Sequence, residues 1–394
     1  MASPLRILMI SGEYPPMEGG VADFTAIVAM RLAARGHDVQ VLTSQRAADA
    51  VRERVAVHAT MERWSWGPLY GRVCALARAF RPDVINIQYQ AAAYGMHPAI
   101  NLLPRVTAVP CVVTFHDLLV PYLFPKAGPL RWQAILALAR GCRQVIVTNA
   151  EDRERLLAAR GLPAVRMVPI GSNVAFRLPS GYDPVAWRAR WGVPADALLL
   201  GYFGFLNASK GGEELVEALA RLRRAGRDAR LLMIGGAVGA SDPTNRAYVE
   251  RVRALITAQG LDEAVVWTGY LPDEQVSACF RCLDVCVLPY RDGVSFRRGS
   301  LMAALAHGAA IVSSQPRVAL PEIIHGENMW LVPPEDPAAL AEAIAALAAD
   351  PGLRQRLGQG AALLARRFDW DAIAAETEDL LRAAVAPPKR GQRG

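Results

Sequence analysis

Two hydrophobic signatures alternate along the chain: short fully apolar runs, and longer stretches with apolar residues three and four apart. Leu5–Ser11 is an apolar run that ends in Gly12-Glu13-Tyr14-Pro15-Pro16-Met17-Glu18-Gly19-Gly20. Val21, Phe24, Ile27, Val28, Met30 and Leu32 then recur at helical spacing, Gly36 stops that helix, and Val39–Thr43 reads as the next strand. A strand, a glycine-rich loop, a helix and a second strand make a parallel pair, because such crossovers are right-handed. The pattern repeats, with Val84–Gln88, Cys111–Thr114 and Val145–Thr148 as buried strands and Arg131–Arg140 and Glu151–Ala159 as helices. Residues 1 to about 170 thus predict one open α/β domain.

Regular periodicity lapses between Gly171 and Pro194, where Pro179-Ser180-Gly181 and Asp183-Pro184 mark a connector. The pattern then restarts with a strand at Leu198–Phe203, a loop at Gly204–Gly212 carrying Lys210, and a helix at Glu213–Ala225. Strands at Leu231–Ile234, Val265–Thr268 and Val285–Leu288 follow, with helices at Arg246–Gln259 and Asp273–Arg281 between them. Ala310–Ser313 and Met329–Val332 are strand-like, and Pro337–Ala349, Pro351–Arg366 and Ile373–Val385 are helical. The tail from Pro387 to Gly394 is basic, rich in Pro and Gly, and reads as frayed. Two successive doubly wound α/β domains suit a length of 394 residues.

Composition narrows the class. With 52% hydrophobic residues and no long charge run, disorder is excluded for most of the chain. The longest near-apolar windows, Ala134–Ala139 and Ala343–Ala349, fall short of the roughly 18–20 residues a spanning helix needs. The N-terminus lacks a signal-peptide pattern, so a cytoplasmic protein is expected. The formal charge is +7, yet the basic residues are scattered and no nucleic-acid module appears. The surplus points to anionic small substrates or peripheral contact with an anionic membrane surface. Only three residues are lysines, Lys126, Lys210 and Lys389, so each invites a reason. Cys279 and Cys282 have CxxC spacing with Cys286 close by, but no second pair or nearby histidine completes a zinc set, and buried structural thiols are expected.

Both domains open with a loop leading into a helix, where unpaired N–H groups and the positive end of the helix dipole suit a phosphate. Neither loop has G-x-G-x-x-G, and Ala208-Ser209-Lys210-Gly211 is no Walker A, which demotes hydride transfer and NTP hydrolysis. Lys210 sits ahead of a helix at a strand's carboxyl end, where an ammonium can reach a phosphate; the plain alternative is a surface lysine. The run from Asp292 to Ser300 supplies two arginines, glycine and hydroxyls at a helix start, either an anion site or an ordinary capped helix with solvated arginines. His116, with Asp117 beside it, follows a strand and could donate a hydrogen bond to a sugar hydroxyl, accept a proton, or merely cap. No G-x-S-x-G or Ser/His/Asp set with hydrolase spacing is present.

In order and spacing, the chain resembles the family 4 retaining glycosyltransferases of GT-B fold. The resemblance spans nearly all of it. It rests on Pro15 to Phe24, Arg35-Gly36-His37-Asp38-Val39, Thr114-Phe115-His116-Asp117, Pro169-Ile170-Gly171-Ser172-Asn173, Ser209-Lys210-Gly211, Thr268-Gly269-Tyr270-Leu271, Asp284 to Tyr290, and Ala304-Leu305-Ala306-His307-Gly308. It implies two Rossmann-like parallel-sheet domains facing across a cleft: 1–172 for the acceptor, a linker at 173–195, 196–370 for a nucleoside-diphosphate sugar, and 371–386 as a helix crossing back onto the first domain. Metal-free transfer with retention is implied, with no cofactor beyond the nucleotide-sugar donor. His116, Lys210 and Arg298 become the catalytic candidates. Gly19, Gly20, Asp292, Ser295, Arg297, Gly299, Ser300 and Leu301 are the donor-binding candidates, and Tyr14, Asp23, Gln88 and Tyr89 the acceptor-binding ones.

Two departures stand out. The family's arginine five residues before the loop lysine is Phe205 here, and its paired glutamates are replaced by Ser295 and Ala303. Arg297 and Arg298 are expected to restore the lost positive charge, and Asp292 or Ser295 the sugar contacts. The departures also admit a catalytically inactive nucleotide-sugar-binding or scaffolding protein, and a nucleotide-sugar epimerase or hydrolase. The acceptor is a glycan, a lipid-linked molecule or a small molecule. Tyr94, and Tyr122 to Lys126 with Arg131 and Trp132, form an aromatic and basic stretch that meets a membrane interface or a lipid-linked acceptor, or only packs the domain.

Overall fold

The computed structural model describes residues 3–48, 54–118, 128, 130–236 and 243–386, with the backbone alone for 243–245. The stretch from Tyr122 to Lys126 and the tail from Pro387 to Gly394, including Lys389, lie outside the described residues. The chain divides into two compact units, Met1–Gly171 with Asp369–Gly394, and Ser172–Phe368.

The first unit runs β1 (Arg6–Ser11), α1 (Gly20–Ala34), β2 (Asp38–Ser44), β3 (Ala56–Met61), α2 (Trp66–Phe80), β4 (Val84–Tyr89), α3 (Ala99–Val106), β5 (Cys111–Phe115), α4 (Leu130–Gly141), β6 (Gln144–Val147), α5 (Ala150–Leu157) and β7 (Val165–Met167). Its seven strands are parallel in the order β3-β2-β1-β4-β5-β6-β7. The direction of winding reverses between β1 and β4, and ligands of open sheets lie beyond the strands' carboxyl ends at such a point. Side chains alternate between two buried layers. Leu8 and Ile10 join Ile85, Ile87 and Tyr89 on one face, while Ile7 and Met9 join Phe24, Val28 and Val112 on the other.

The second unit contains α6 (Pro184–Arg190), β8 (Leu198–Phe203), α7 (Gly212–Arg224), β9 (Ala229–Ile234), α8 (Pro243–Ala258), β10 (Val265–Trp267), α9 (Asp273–Cys282), β11 (Val285–Leu288), α10 (Gly299–Ala306), β12 (Ile311–Ser314), β13 (Trp330–Val332), α11 (Pro337–Ala349) and α12 (Pro351–Ala365). Its parallel order, β10-β9-β8-β11-β12-β13, repeats the winding of the first sheet, with the reversal between β8 and β11. The stretch expected to be an irregular connector holds α6. Asp183 caps it by accepting from the N–H groups of Val185 and Ala186, with Pro184 at the first helical position. Trp187 donates to Cys279 Sγ at 3.4 Å, and Arg188 pairs with Asp284 at 2.9 Å. Cys279, Cys282 and Cys286 are buried, and burial pushes their thiols up to about 11, 12 and 12, as suits packing groups rather than nucleophiles.

The last helix, α13 (Trp370–Val385), belongs to the first unit. It buries Ile373, Ala374, Leu381 and Ala384, and Ile373, Leu381 and Ala384 join the layer that contains Ile7, Met9 and Phe24. Two parallel sheets wound alike, with a terminal helix returning to the first, constitute the GT-B fold. No described helix is long and apolar enough to cross a membrane.

Candidate active site

In the second unit, the loops after β8 and β11 meet at the reversal point. Gly204 has φ of +105° and Gly211 +70°, both in the left-handed region that favours glycine. A Cβ on Gly211 would stand 1.9 Å from the carbonyl oxygen of Pro289, so glycine also permits the two loops to approach. Asn207 Oδ1 accepts from the N–H and the hydroxyl of Ser209 and closes the turn Ala208–Lys210. Lys210 Nζ donates to the carbonyl oxygen of Phe205 at 2.6 Å. The residue that replaces the expected arginine therefore contributes its backbone to the lysine's placement.

Lys210 shares this region with two guanidiniums and one carboxylate. Arg297 pairs with Asp292 at 2.6 Å, and Arg298 also pairs with Asp292, donates to Ser209 Oγ at 3.2 Å, and lies 5.0 Å over the Tyr290 ring. Burial lowers the Lys210 ammonium to about 7; nearby Arg298 pushes the same way and Asp292 opposes. Two guanidiniums and the lysine amine gather near the carboxylate of Asp292. Asp292 is thus the counter-ion of both arginines. Ser295 is buried, with its carbonyl accepting from the Arg298 N–H, while Asp292 is half-buried.

Arg298 is the N-cap of α10. The N–H groups of Gly299 and Ser300 open the helix without intrahelical acceptors, as at every helix start. The Leu301 N–H bonds the Arg298 carbonyl at 2.9 Å and its side chain is fully buried. Ser300 Oγ bonds Tyr290 Oη at 2.7 Å. Ser209, Tyr290 and the Phe205 carbonyl complete the cluster, and no periodicity signals them.

In the first unit, Gly19 caps α1 with extended backbone, and a Cβ there would stand 2.8 Å from Glu13 Oε2, whereas one on Gly20 would meet nothing within 4 Å. Asp23 lies in the first turn of α1, its N–H bonded to the Gly19 carbonyl. Tyr94 Oη reaches the carbonyls of Ile10 and Gln88 at 2.9 and 2.8 Å and so ties together the ends of β1 and β4.

His116 follows β5, its N–H bonded to the Tyr89 carbonyl and its ring packed edge-on against Phe24 at 4.8 Å. Its Nε2 lies 2.8 Å from Gln88 Oε1. Burial lowers the imidazole to about 3, so the ring is neutral at physiological pH. Gln88 is fully buried with its amide engaged at both ends, which removes it from the acceptor-binding set. Tyr89, one residue on, points to the opposite face of the sheet by the period of two and bonds Asn101, and Tyr14 is buried among core residues. Neither tyrosine presents itself to an acceptor. Asn86, which anchors Gln88, was missed, although two polar residues at alternate positions of the otherwise apolar β4 are a readable signal.

Two family models match the chain, Glycosyltransferase Family 4 over residues 18–176 and Glycosyl transferases group 1 over residues 197–350. A D-inositol 3-phosphate glycosyltransferase of Corynebacterium efficiens is 31% identical, covering 97% of this chain and 96% of its own length. The chain belongs to the family 4 glycosyltransferases, and it transfers sugar. Among solved structures, sucrose-phosphate synthase from Thermosynechococcus elongatus superposes with a TM-score of 0.77 at 23% identity, over 96% of this chain and 98% of that one. Anabaena HepE in complex with UDP-glucose gives 0.75 at 20% identity, over 96% of this chain and all of that one. At these identities the structural likeness speaks for the GT-B fold.

Proposed function

We propose that the protein moves a hexosyl group from a nucleoside-diphosphate sugar to a hydroxyl of a glycan, lipid-linked or small-molecule acceptor, with retention and without a metal ion. The observation that carries the reading is the grouping of Lys210, Arg297 and Arg298 near the carboxylate of Asp292, beside the helix start at Gly299 and Ser300. As the glycosidic bond to the donor breaks, negative charge builds on the departing diphosphate, and fixed cations with aimed N–H groups stabilise that charge. Lys210 and Arg298 touch the leaving group in this reading, while Asp292 holds the arginines in place. The second unit then takes the donor and the first the acceptor. The complex of HepE with UDP-glucose supports a nucleotide-sugar of that class as donor. The surplus charge supports peripheral contact with an anionic membrane on the cytoplasmic side.

Lys210→Ala and Arg298→Ala are each expected to lower kcat at least tenfold, the effect of losing about 1.4 kcal/mol of transition-state stabilisation. Two variants with kcat within about twofold of the native enzyme would reject diphosphate stabilisation by these side chains. A thermal-shift screen against UDP, GDP, ADP and dTDP identifies the base, since a ligand of the folded state raises its stability. The anomeric configuration of the first-formed product, read by NMR, decides between retention and inversion.

A further inference from the structure

The chain of amides behind His116 determines which of its ring nitrogens carries the proton. Asn86 Nδ2 lies 3.4 Å from the Val112 carbonyl oxygen and 3.3 Å from Thr114 Oγ1. A backbone carbonyl only accepts, so the NH2 end of Asn86 must face it and Oδ1 must face the other way. Oδ1 then accepts from Gln88 Nε2, which in turn fixes Gln88 with Oε1 toward His116. An amide oxygen cannot donate, so the hydrogen in the 2.8 Å contact sits on His116 Nε2. Asn86, Gln88 and Thr114 are buried from water, so no solvent competes for these orientations.

We propose that Asn86 and Gln88 are positioning residues that lock His116 as its Nε2–H tautomer, leaving Nδ1 as a hydrogen-bond acceptor for a substrate hydroxyl. Among the described residues, the hydrogen bonds to the ring are confined to Nε2. With Nε2–H spent on Gln88, the ring does not donate to a sugar hydroxyl as the sequence allowed, and Nδ1 is left to accept from one. The substrate position that meets Nδ1 must therefore carry a donor. A hydroxyl qualifies, and the fluorine of a deoxyfluoro sugar does not. The inference rests on the glycosyl-transfer reading only for the last step, the contact with substrate; the tautomer itself is a property of the first unit.

The test uses the full chain labelled with ¹⁵N-histidine. Long-range ¹H–¹⁵N spectra of the native protein, with His116 assigned by loss of its signals in His116→Gln, should show Nε2 protonated and Nδ1 bare. An Nδ1–H ring in the native protein would overturn the proposal before any other variant is made. In Gln88→Met, which keeps the bulk and removes the acceptor, the ring should exchange between tautomers and kcat should fall about tenfold with donor KM nearly unchanged. Gln88→Glu, which restores an acceptor oxygen, should bring the Nε2–H form back. A folded Gln88→Met protein with an unchanged tautomer would also reject the relay. An Nε2–H ring in the native protein together with full activity in His116→Gln would instead leave the relay standing and remove His116 from the reaction.

Discussion

Lys210 holds its place among competing charges, and that competition has measurable consequences. Its ammonium falls to about 7 because it is buried and because Arg298 is near, with Asp292 pulling the other way. Above pH 7 the folded state has largely released this proton while the unfolded chain retains it. The unfolded state then binds more protons, so stability rises with pH between 7 and about 10. Denaturant midpoints of the ligand-free protein should rise over that range relative to Lys210→Met, and parallel curves would reject the shift. A diphosphate arriving beside the lysine favours its charged form. Calorimetric titration of nucleoside diphosphate at pH 8 in two buffers of different ionisation heat should therefore show proton uptake, absent in Lys210→Met. The sequence pointed to Lys210, Arg297, Arg298 and His116 through their places at strand ends and helix starts. It could not show that Asp292 is shared by both arginines, nor that Tyr14, Gln88 and Tyr89 turn inward. Those outcomes depend on which face of a buried strand or loop a side chain takes; in β4 the alternation of Asn86 and Gln88 separates the two faces, but with both faces covered it does not say which of them a ligand meets.

At the scale of elements, α13 is fixed to the first unit by a charged cluster as well as by apolar contacts. Glu378 accepts from Arg35 at 2.6 Å and pairs with Arg382 at 2.7 Å, and its Oε1 lies 3.2 Å from His37 Nε2. His37 Nδ1 accepts from the Leu5 N–H, which joins the cluster to the start of β1. Burial alone would push the Glu378 carboxyl up, but its hydrogen bonds with Arg35, Arg382 and His37 outweigh that and hold it at about 2. The stabilisation is complete above about pH 4.5, the ordinary value, and is lost as pH falls toward 2. Glu378→Gln should cost on the order of 2 kcal/mol at neutral pH, with the gap to the native protein closing between pH 4.5 and 2 in urea unfolding. A gap independent of pH would assign the effect to packing instead. Most elements were legible from periodicity and from glycine stops. β3, α2, α3, β7 and α6 were not; at α6, Asp183-Pro184 signals a turn as readily as a helix start, and only the docking of Trp187 against α9 decides between them.

At the scale of the whole molecule, the first unit is discontinuous in sequence, built from Met1–Gly171 and Asp369–Gly394. Ile373, Leu381 and Ala384 belong to the same core layer as Phe24, Val28, Val112 and Ile146. A chain ending at Phe368 should bind a hydrophobic dye and lose the calorimetric transition of the first unit while keeping that of the second. Two intact transitions would show that α13 is dispensable. The return of the chain after such an interval also sets an order of events at the ribosome. The unit whose strands emerge first closes its core last, because it must wait for a segment made about 200 residues later, on the order of 10–40 seconds at ordinary rates of synthesis. Through that interval the apolar face reserved for α13 stands uncovered on the nascent chain, where chaperones that hold exposed hydrophobic surface would find it.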